Sequence, residues 1–337
     1  MHIDYQNLAI WQERKEEKMQ RRNFLKLTSA LAASGLASPL FAKEAFTIYG
    51  APAMPSLIIG VACMQGQIGK KYDAKLELWR DPDQLRAGVA NGEYKVMMSP
   101  SNVGVNLANQ GRKIGMVNIL TEGLNFVMSK GEKITEFAQL KGKKIVMPFK
   151  NDMLDIIVRA IAKKQGISGL NIDYTASPAE SAQLFLAKDY DVAITVEPLA
   201  SAMILKGKVS GIAVQRGANL SDMWAQAFSV KPIIPQAGII ADTDFYAAKK
   251  ADFEILNADL ADALAWIKAN KQSAAAIGTN FFPAPPPAIF MSIDTSNLCV
   301  KKPSEIKDEL LKFYEILMEF NPKLIGGAMP KDEFFLC

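Results

Sequence analysis

Short apolar runs alternate with amphipathic stretches along most of this chain. Residues 45–50 (AFTIYG) alternate apolar and polar as a strand does, and 56–65 then carry apolar residues at helical spacing. Residues 74–79 (AKLELW) predict a second strand. Asp81-Pro82-Asp83 predict a helix start, with Asp at the cap and Pro in the first turn, and Asn91-Gly92 stop that helix after Ala90. A strand follows over 94–98, a helix over 101–110 ended by Gly111, and a strand over 115–120. After 124–129 the pattern begins again: a strand over 143–147, an amphipathic helix over 152–165 ended by Gly166, and a strand over 171–174. It continues with a helix over 178–187, a strand over 191–195, a helix over 198–205 and a strand over 211–215.

One β-α-β-α-β pattern is thus written twice, over 46–128 and 143–215, which points to two parallel-sheet α/β units. The remainder departs from it. Residues 239–241 are apolar, 244–270 read as helix, Pro283 to Pro287 interrupt, and 303–320 form a further amphipathic helix. Two similar units imply a cleft between them. Ligands of open α/β sheets sit beyond the carboxyl ends of strands, where helix N-termini present free N–H groups. The candidate segments are therefore 51–56, 80–83, 99–101, 121–125, 148–153, Ser177 and Glu197.

The first residues change the picture. Arg21-Arg22 precede Asn23-Phe24-Leu25-Lys26 and a charge-free run of 16 residues over 27–42, rich in Ala, Ser and Gly and broken by Pro39. A membrane span needs roughly 20 strongly apolar residues. A basic start, a short apolar region and small residues near a cut are the layout of an export signal, here of twin-arginine type. Cleavage is expected near Ala42. The charged preface over 1–18 suggests that translation starts at Met19 rather than Met1. Removing 1–42 leaves 295 residues, enough for two lobes, and lowers the net charge from +4 to +2, which offers nothing to nucleic acid.

The single histidine, His2, lies in the discarded segment. Ser-His-Asp and Cys-His nucleophile chemistry and histidine-bearing zinc sites are thereby removed. Of the three cysteines, Cys63 and Cys299 can either bridge or stay as unpaired structural thiols, and the second is the expectation. No cofactor is indicated.

Three stretches carry a family resemblance: DPDQLRAGVANGEYKVMMSPSNVGVNLANQG, LKGKKIVMPFKNDMLDIIVRAIAKKQGI and SPAESAQLFLAKDYDVAITVEPLASAMILKG, with the tail NPKLIGGAMPKDEFF. In order and spacing they resemble the periplasmic solute-binding proteins of ABC importers for nitrate, taurine and thiamine-precursor-type ligands (the NitT/TauT type), over about residues 46–335. The resemblance implies an α/β, bilobal type II periplasmic-binding-protein fold: two parallel-type α/β lobes joined by two hinge segments, near 126–130 and 230–238. Lobe 1 would hold 43–127 plus about 236–337, and lobe 2 would hold 128–235. It also implies a soluble periplasmic monomer that closes on a small-molecule ligand and docks on a permease driven by a separate ATPase.

Carried over, the ligand contacts fall on Ser56, Trp79, Ser99, Ser101, Asn125, Lys150, Asn151, Asp152, Met153 and Glu197. Several have a plainer reading. Ser101 and Asp152 are natural helix caps, and Glu197 suits a helix start through the dipole. Lys150 fits a solvated lip, Trp79 fits core, and Met64, Met97, Met98, Met128, Met147 and Met153 fit apolar filling. Two carboxylates, Asp152 and Glu197, on the expected cleft favour a small neutral or amine-bearing ligand, heteroaromatic or not, over a bare anion. The rival readings are an exported metal- or cofactor-binding protein and an enzyme of menaquinone or pyrimidine biosynthesis type on the same fold.

Overall fold

The computed structural model describes residues 43–336; Arg21, Arg22, the Ala42 cut, the start at Met1 or Met19 and Cys337 lie outside the described residues. The first strands and helices are β1 (Ala45–Gly50), α1 (Pro55–Gln65), α2 (Gln67–Lys71), β2 (Asp73–Leu78), α3 (Pro82–Ala90), β3 (Val96–Pro100), α4 (Ser101–Asn109), β4 (Ile114–Met116) and β5 (Ile119–Thr121). A second series follows: β6 (Asn125–Lys130), β7 (Lys144–Pro148), α5 (Met153–Lys164), β8 (Asn171–Thr175), α6 (Pro178–Ala187), β9 (Val192–Val196), α7 (Leu199–Val209), β10 (Val214–Asn219) and α8 (Leu220–Phe228). The chain then returns through β11 (Ala237–Asp242), α9 (Thr243–Ala248), α10 (Lys250–Ala269), α11 (Lys271–Gly278), α12 (Pro286–Thr295), β12 (Leu298–Lys301) and α13 (Pro303–Phe320).

These strands make two sheets, ordered β12-β5-β11-β3-β1-β2 (with β4 beside β11) and β10-β6-β9-β7-β8. Each sheet has a parallel heart, β1 between β2 and β3 in one and β7 between β8 and β9 in the other. Strands that arrive by crossing over from the other sheet extend both hearts in the antiparallel sense: β11 against β3, β4 and β5, and β6 against β9 and β10. Strands β3, β7 and β9 are buried along nearly their whole length, as sheets covered by helices on both faces require, whereas β1 and the edge strand β2 alternate.

Local signals account for most of the elements. The Asp81 carboxylate accepts the Gln84 N–H at 2.8 Å, and Ser177 Oγ accepts the Glu180 N–H at 3.2 Å, so the Pro-bearing starts of α3 and α6 are capped as their sequences indicate. The strand expected over 115–120 is broken into β4 and β5. The N–H groups of Val117 and Asn118 both turn to the Ile239 carbonyl, and Asn118 Oδ1 takes the Ile239 N–H at 3.0 Å. Gly238 is required opposite, since a Cβ there would stand 1.8 Å from the Asn118 carbonyl oxygen. The stretch 244–270 is two helices, because Lys249 leaves helical geometry at φ −124° and ψ 29°. The proline run does not merely interrupt. Pro285 is the cap and Pro286 the first residue of α12, where a missing N–H costs nothing.

The chain crosses between sheets twice. It leaves β5 at Thr121 and enters β6 at Asn125, so the first crossing lies upstream of the expected 126–130, which is buried, doubly paired strand. It returns over 229–236. The two crossings run side by side, with the Ile234 N–H donating to the Glu122 carbonyl at 2.9 Å. The last helix, α13, packs Phe313 against Trp224 of α8 at 5.4 Å between ring centroids. Cys63 and Cys299 are unpaired and buried, and burial pushes both thiols up to about 12.

Candidate functional site

The carboxyl ends of β1, β2, β3 and β7 converge on one cavity of about 150 Å³. Ala51, Ala53, Trp79, Arg80 and Ser99 line it from the first lobe, Phe149, Asp152 and Met153 from the second, and Leu124 and Gln236 from the crossings. Its wall is mostly prolines and apolar side chains. Trp79 is held there by its indole N–H, which donates to the Met98 carbonyl at 3.2 Å, and is 7% exposed. Such a wall suits the apolar body of a small organic molecule, with a few polar groups to orient it.

The loop Phe149-Lys150-Asn151 is the most strained part of the wall. Phe149 (φ 56°) and Asn151 (φ 66°) are both left-handed without being glycine. Asp155, fully buried one turn into α5, holds the loop. Its carboxylate accepts the Asn151 N–H at 2.8 Å and the Tyr174 hydroxyl at 2.7 Å, and faces Arg159 at 3.3 Å. Asp152 at the head of α5 accepts the Met153 N–H at 2.9 Å and meets Arg86 of α3 at 3.7 Å, an ion pair that spans the two lobes. Burial raises the Asp152 carboxyl above its usual range; Arg86 and the Met153 N–H oppose this in part.

Of the ten expected contacts, Trp79, Ser99, Asp152 and Met153 line the cavity. The other six do not, each for its own reason. Ser56 is buried with its hydroxyl donating to the Ala51 carbonyl at 2.5 Å. Ser101 is fully buried in the lobe, with its hydroxyl beside that of Tyr314. Asn125 is taken up by Gln236. Lys150 reaches outward over the Tyr174 ring at 5.6 Å. Asn151 faces a neighbouring groove. Glu197 corrects an expectation most directly. Its carboxylate is fully buried, pairs with Arg216 at 2.6 Å and accepts from Ser201, Ser292 and Thr295. It ties α7 to α12 behind the cleft rather than facing a ligand. The case for an amine-bearing ligand loses half its support, because Asp152 alone remains on the cavity and Arg80 and Arg86 stand near it.

Sequence reasoning missed Asp155 and Gln236, and held Phe149 only as part of the candidate segment 148–153. A usable signal existed for Asp155, which stands four residues from both Asn151 and Arg159 on one helical face. Among the described residues no three His, Cys, Asp or Glu side chains gather as a metal-ligand set, and no helix is long and apolar enough to cross a membrane.

Neither a protein-family model nor a curated protein sequence matches this chain. Solved structures do. An ABC transporter protein from Parabacteroides distasonis superposes with a TM-score of 0.71 at 17% identity, over 87% of this chain and 98% of its own. The periplasmic aliphatic sulphonate binding protein SsuA from Escherichia coli gives 0.66 at 14% identity, over 86% and 94%. The fold is that of the periplasmic binding proteins. The alkanesulfonate-binding protein SsuA from Xanthomonas axonopodis pv. citri, bound to MOPS, shares that fold with a TM-score of 0.64 at 14% identity, over 86% and 96%. The cavity between Trp79 and Asp152 is walled by strand ends of both sheets.

Proposed function

We propose that this chain is a periplasmic receptor, not an enzyme, that binds a small organic solute between its lobes and delivers it to the permease and ATPase of an ABC importer. The observation that carries this reading is the cavity itself: apolar, built from both lobes over strand carboxyl ends, and bridged by the Arg86–Asp152 pair. A solute touching both walls favours the closed arrangement, and closure is what a permease can recognise. The Arg21-Arg22 signal supports export by the twin-arginine machinery with release of a soluble monomer after Ala42. Solved structures of the same fold whose names include aliphatic sulphonate binding and ABC transport support the same assignment. Trp79, Ser99, Asp152 and Met153 are the proposed contacts, joined by Phe149, Arg80 and Gln236.

The test is a thermal-shift screen of the processed protein against sulfonates, nitrate, pyrimidines, thiamine precursors, amines and divalent metals. A ligand at a hundred times its Kd adds about 2.7 kcal/mol to native stability, a shift of several degrees. A hit among organic solutes that Trp79→Ala abolishes is the expected result. A screen in which only a metal stabilises the protein overturns the reading.

A further inference from the structure

Beside the cavity lies a second, wider groove of about 410 Å³. It is built from α3, α4 and the segment around Lys323 on one side and from the head of α5 on the other, so it too spans the lobes. Its chemistry is the reverse of the cavity's. Arg86, Arg112 and Lys323 line it against one carboxylate, Asp152. Among the described residues neither Arg112 nor Lys323 forms an ion pair. Asn102, on the groove floor and 4% exposed, has its Oδ1 without a hydrogen-bond partner. A buried unpaired amide oxygen is costly and calls for a hydrogen-bond donor such as water, so the groove is polar on its Asn102 side, while the three cations are what favour an anion.

The two spaces share a single lining residue, Asp152. The partition between them is therefore the Arg86–Asp152 pair, and at 3.7 Å it is looser than a charge-assisted hydrogen bond of about 2.7–2.9 Å. A ligand oxyanion brought to Arg86 can displace Asp152 from it. From this juxtaposition we propose that the groove is a second subsite of the same cleft and that the ligand is an elongated organic anion. Its apolar body lies in the inner cavity against Trp79 and Phe149. Its anionic end passes Asp152 and is held in the groove by Arg86, Arg112 and Lys323. This rests on the receptor reading and narrows it to one class of solute.

Calorimetric titration of the processed protein with the straight-chain carboxylates from butanoate to decanoate, and with the 1-alkanols of the same lengths, tests the proposal. The expected result is affinity that rises with chain length in both series, is higher for the carboxylates, and for them alone falls with added salt. The R112A/K323A double variant is expected to weaken the carboxylates about tenfold, a loss of about 1.4 kcal/mol, and to leave the alkanols unchanged. Unchanged alkanol binding also shows that the variant is folded. Carboxylates that bind no better than alkanols, or that are indifferent to R112A/K323A, overturn the subsite and leave the receptor standing. No binding by either series overturns the subsite as well, since the class it names has been offered, while the receptor reading is decided separately by the broad solute screen.

Discussion

Asn125 and Gln236 exchange both hydrogen bonds of their side-chain amides, at 2.8 and 3.2 Å, although they are 111 residues apart. Asn125 opens β6 at the end of the first crossing and Gln236 closes the second, so this buried pair fastens the two crossings to each other just where they meet the cavity. Replacing one partner strands the other amide. Q236L is expected to cost about 1–3 kcal/mol, and N125L/Q236L less than the sum of the two single changes. Urea unfolding of the four proteins of the cycle measures this, and strict additivity would show that the pair is not a unit.

Asp155→Asn keeps one acceptor oxygen where the carboxylate uses both, so it cannot accept from the Asn151 N–H of the left-handed loop and from the Tyr174 hydroxyl together. One hydrogen bond to a charged group is worth about 1.5–3 kcal/mol, and a stability loss in that range is expected. Burial and then Asp155 hold the Tyr174 phenol above its usual ionisation range. The variant should therefore also let Tyr174 ionise at lower pH, as read by ultraviolet titration. Ligand affinity should fall too, because Phe149 and Asp152 sit on the released loop. Wild-type affinity in a destabilised variant would refute the positioning role.

The Asp152 carboxyl is raised in the folded protein, first by burial, so ionising it opposes folding. Its contribution to stability is fully present below the unfolded value of 3.8 and is lost as pH rises through the raised folded value. D152N removes that loss. Relative to wild type, the variant should gain stability between acid and neutral pH while losing ligand selectivity. Melting temperatures across that range decide the first half; a difference independent of pH would assign Asp152 to helix capping alone.

Arg216 is the cation that neutralises the fully buried Glu197. Removing one partner of such a pair leaves an uncompensated buried charge and costs about 3–5 kcal/mol. R216M should show that loss in denaturant unfolding, and a loss below 1 kcal/mol, the size of a surface ion pair, would mean that Arg216 is not what holds the Glu197 carboxylate in place.

Trp79 gives the cleft a built-in reporter. Trp224 is buried against Phe228 and Phe313, away from the cavity, whereas Trp79 lines it. A solute that enters the cleft should change tryptophan fluorescence in wild type and in W224F but not in W79F. Persistence of the change in W79F would place the bound solute elsewhere.

What the sequence determined alone is what neighbouring residues settle among themselves. Two-residue alternation marked β1 and β2, helical spacing marked α5 and α13, and side chains bonding three residues ahead marked the caps at Asp81 and Ser177. The repeated α/β pattern and a cleft at strand carboxyl ends follow from such local rules. The tertiary structure decided whatever depends on partners far along the chain. The antiparallel β11 and β6 exist because each crossing delivers its strand in reverse. Ser56, Ser101 and Glu197 stand at the strand ends where the pattern put them, yet their side chains turn away from the cavity. The direction of a side chain at a helix head is set by how that helix docks, and for Glu197 by an arginine 19 residues on and a helix nearly a hundred residues away, which no local pattern encodes.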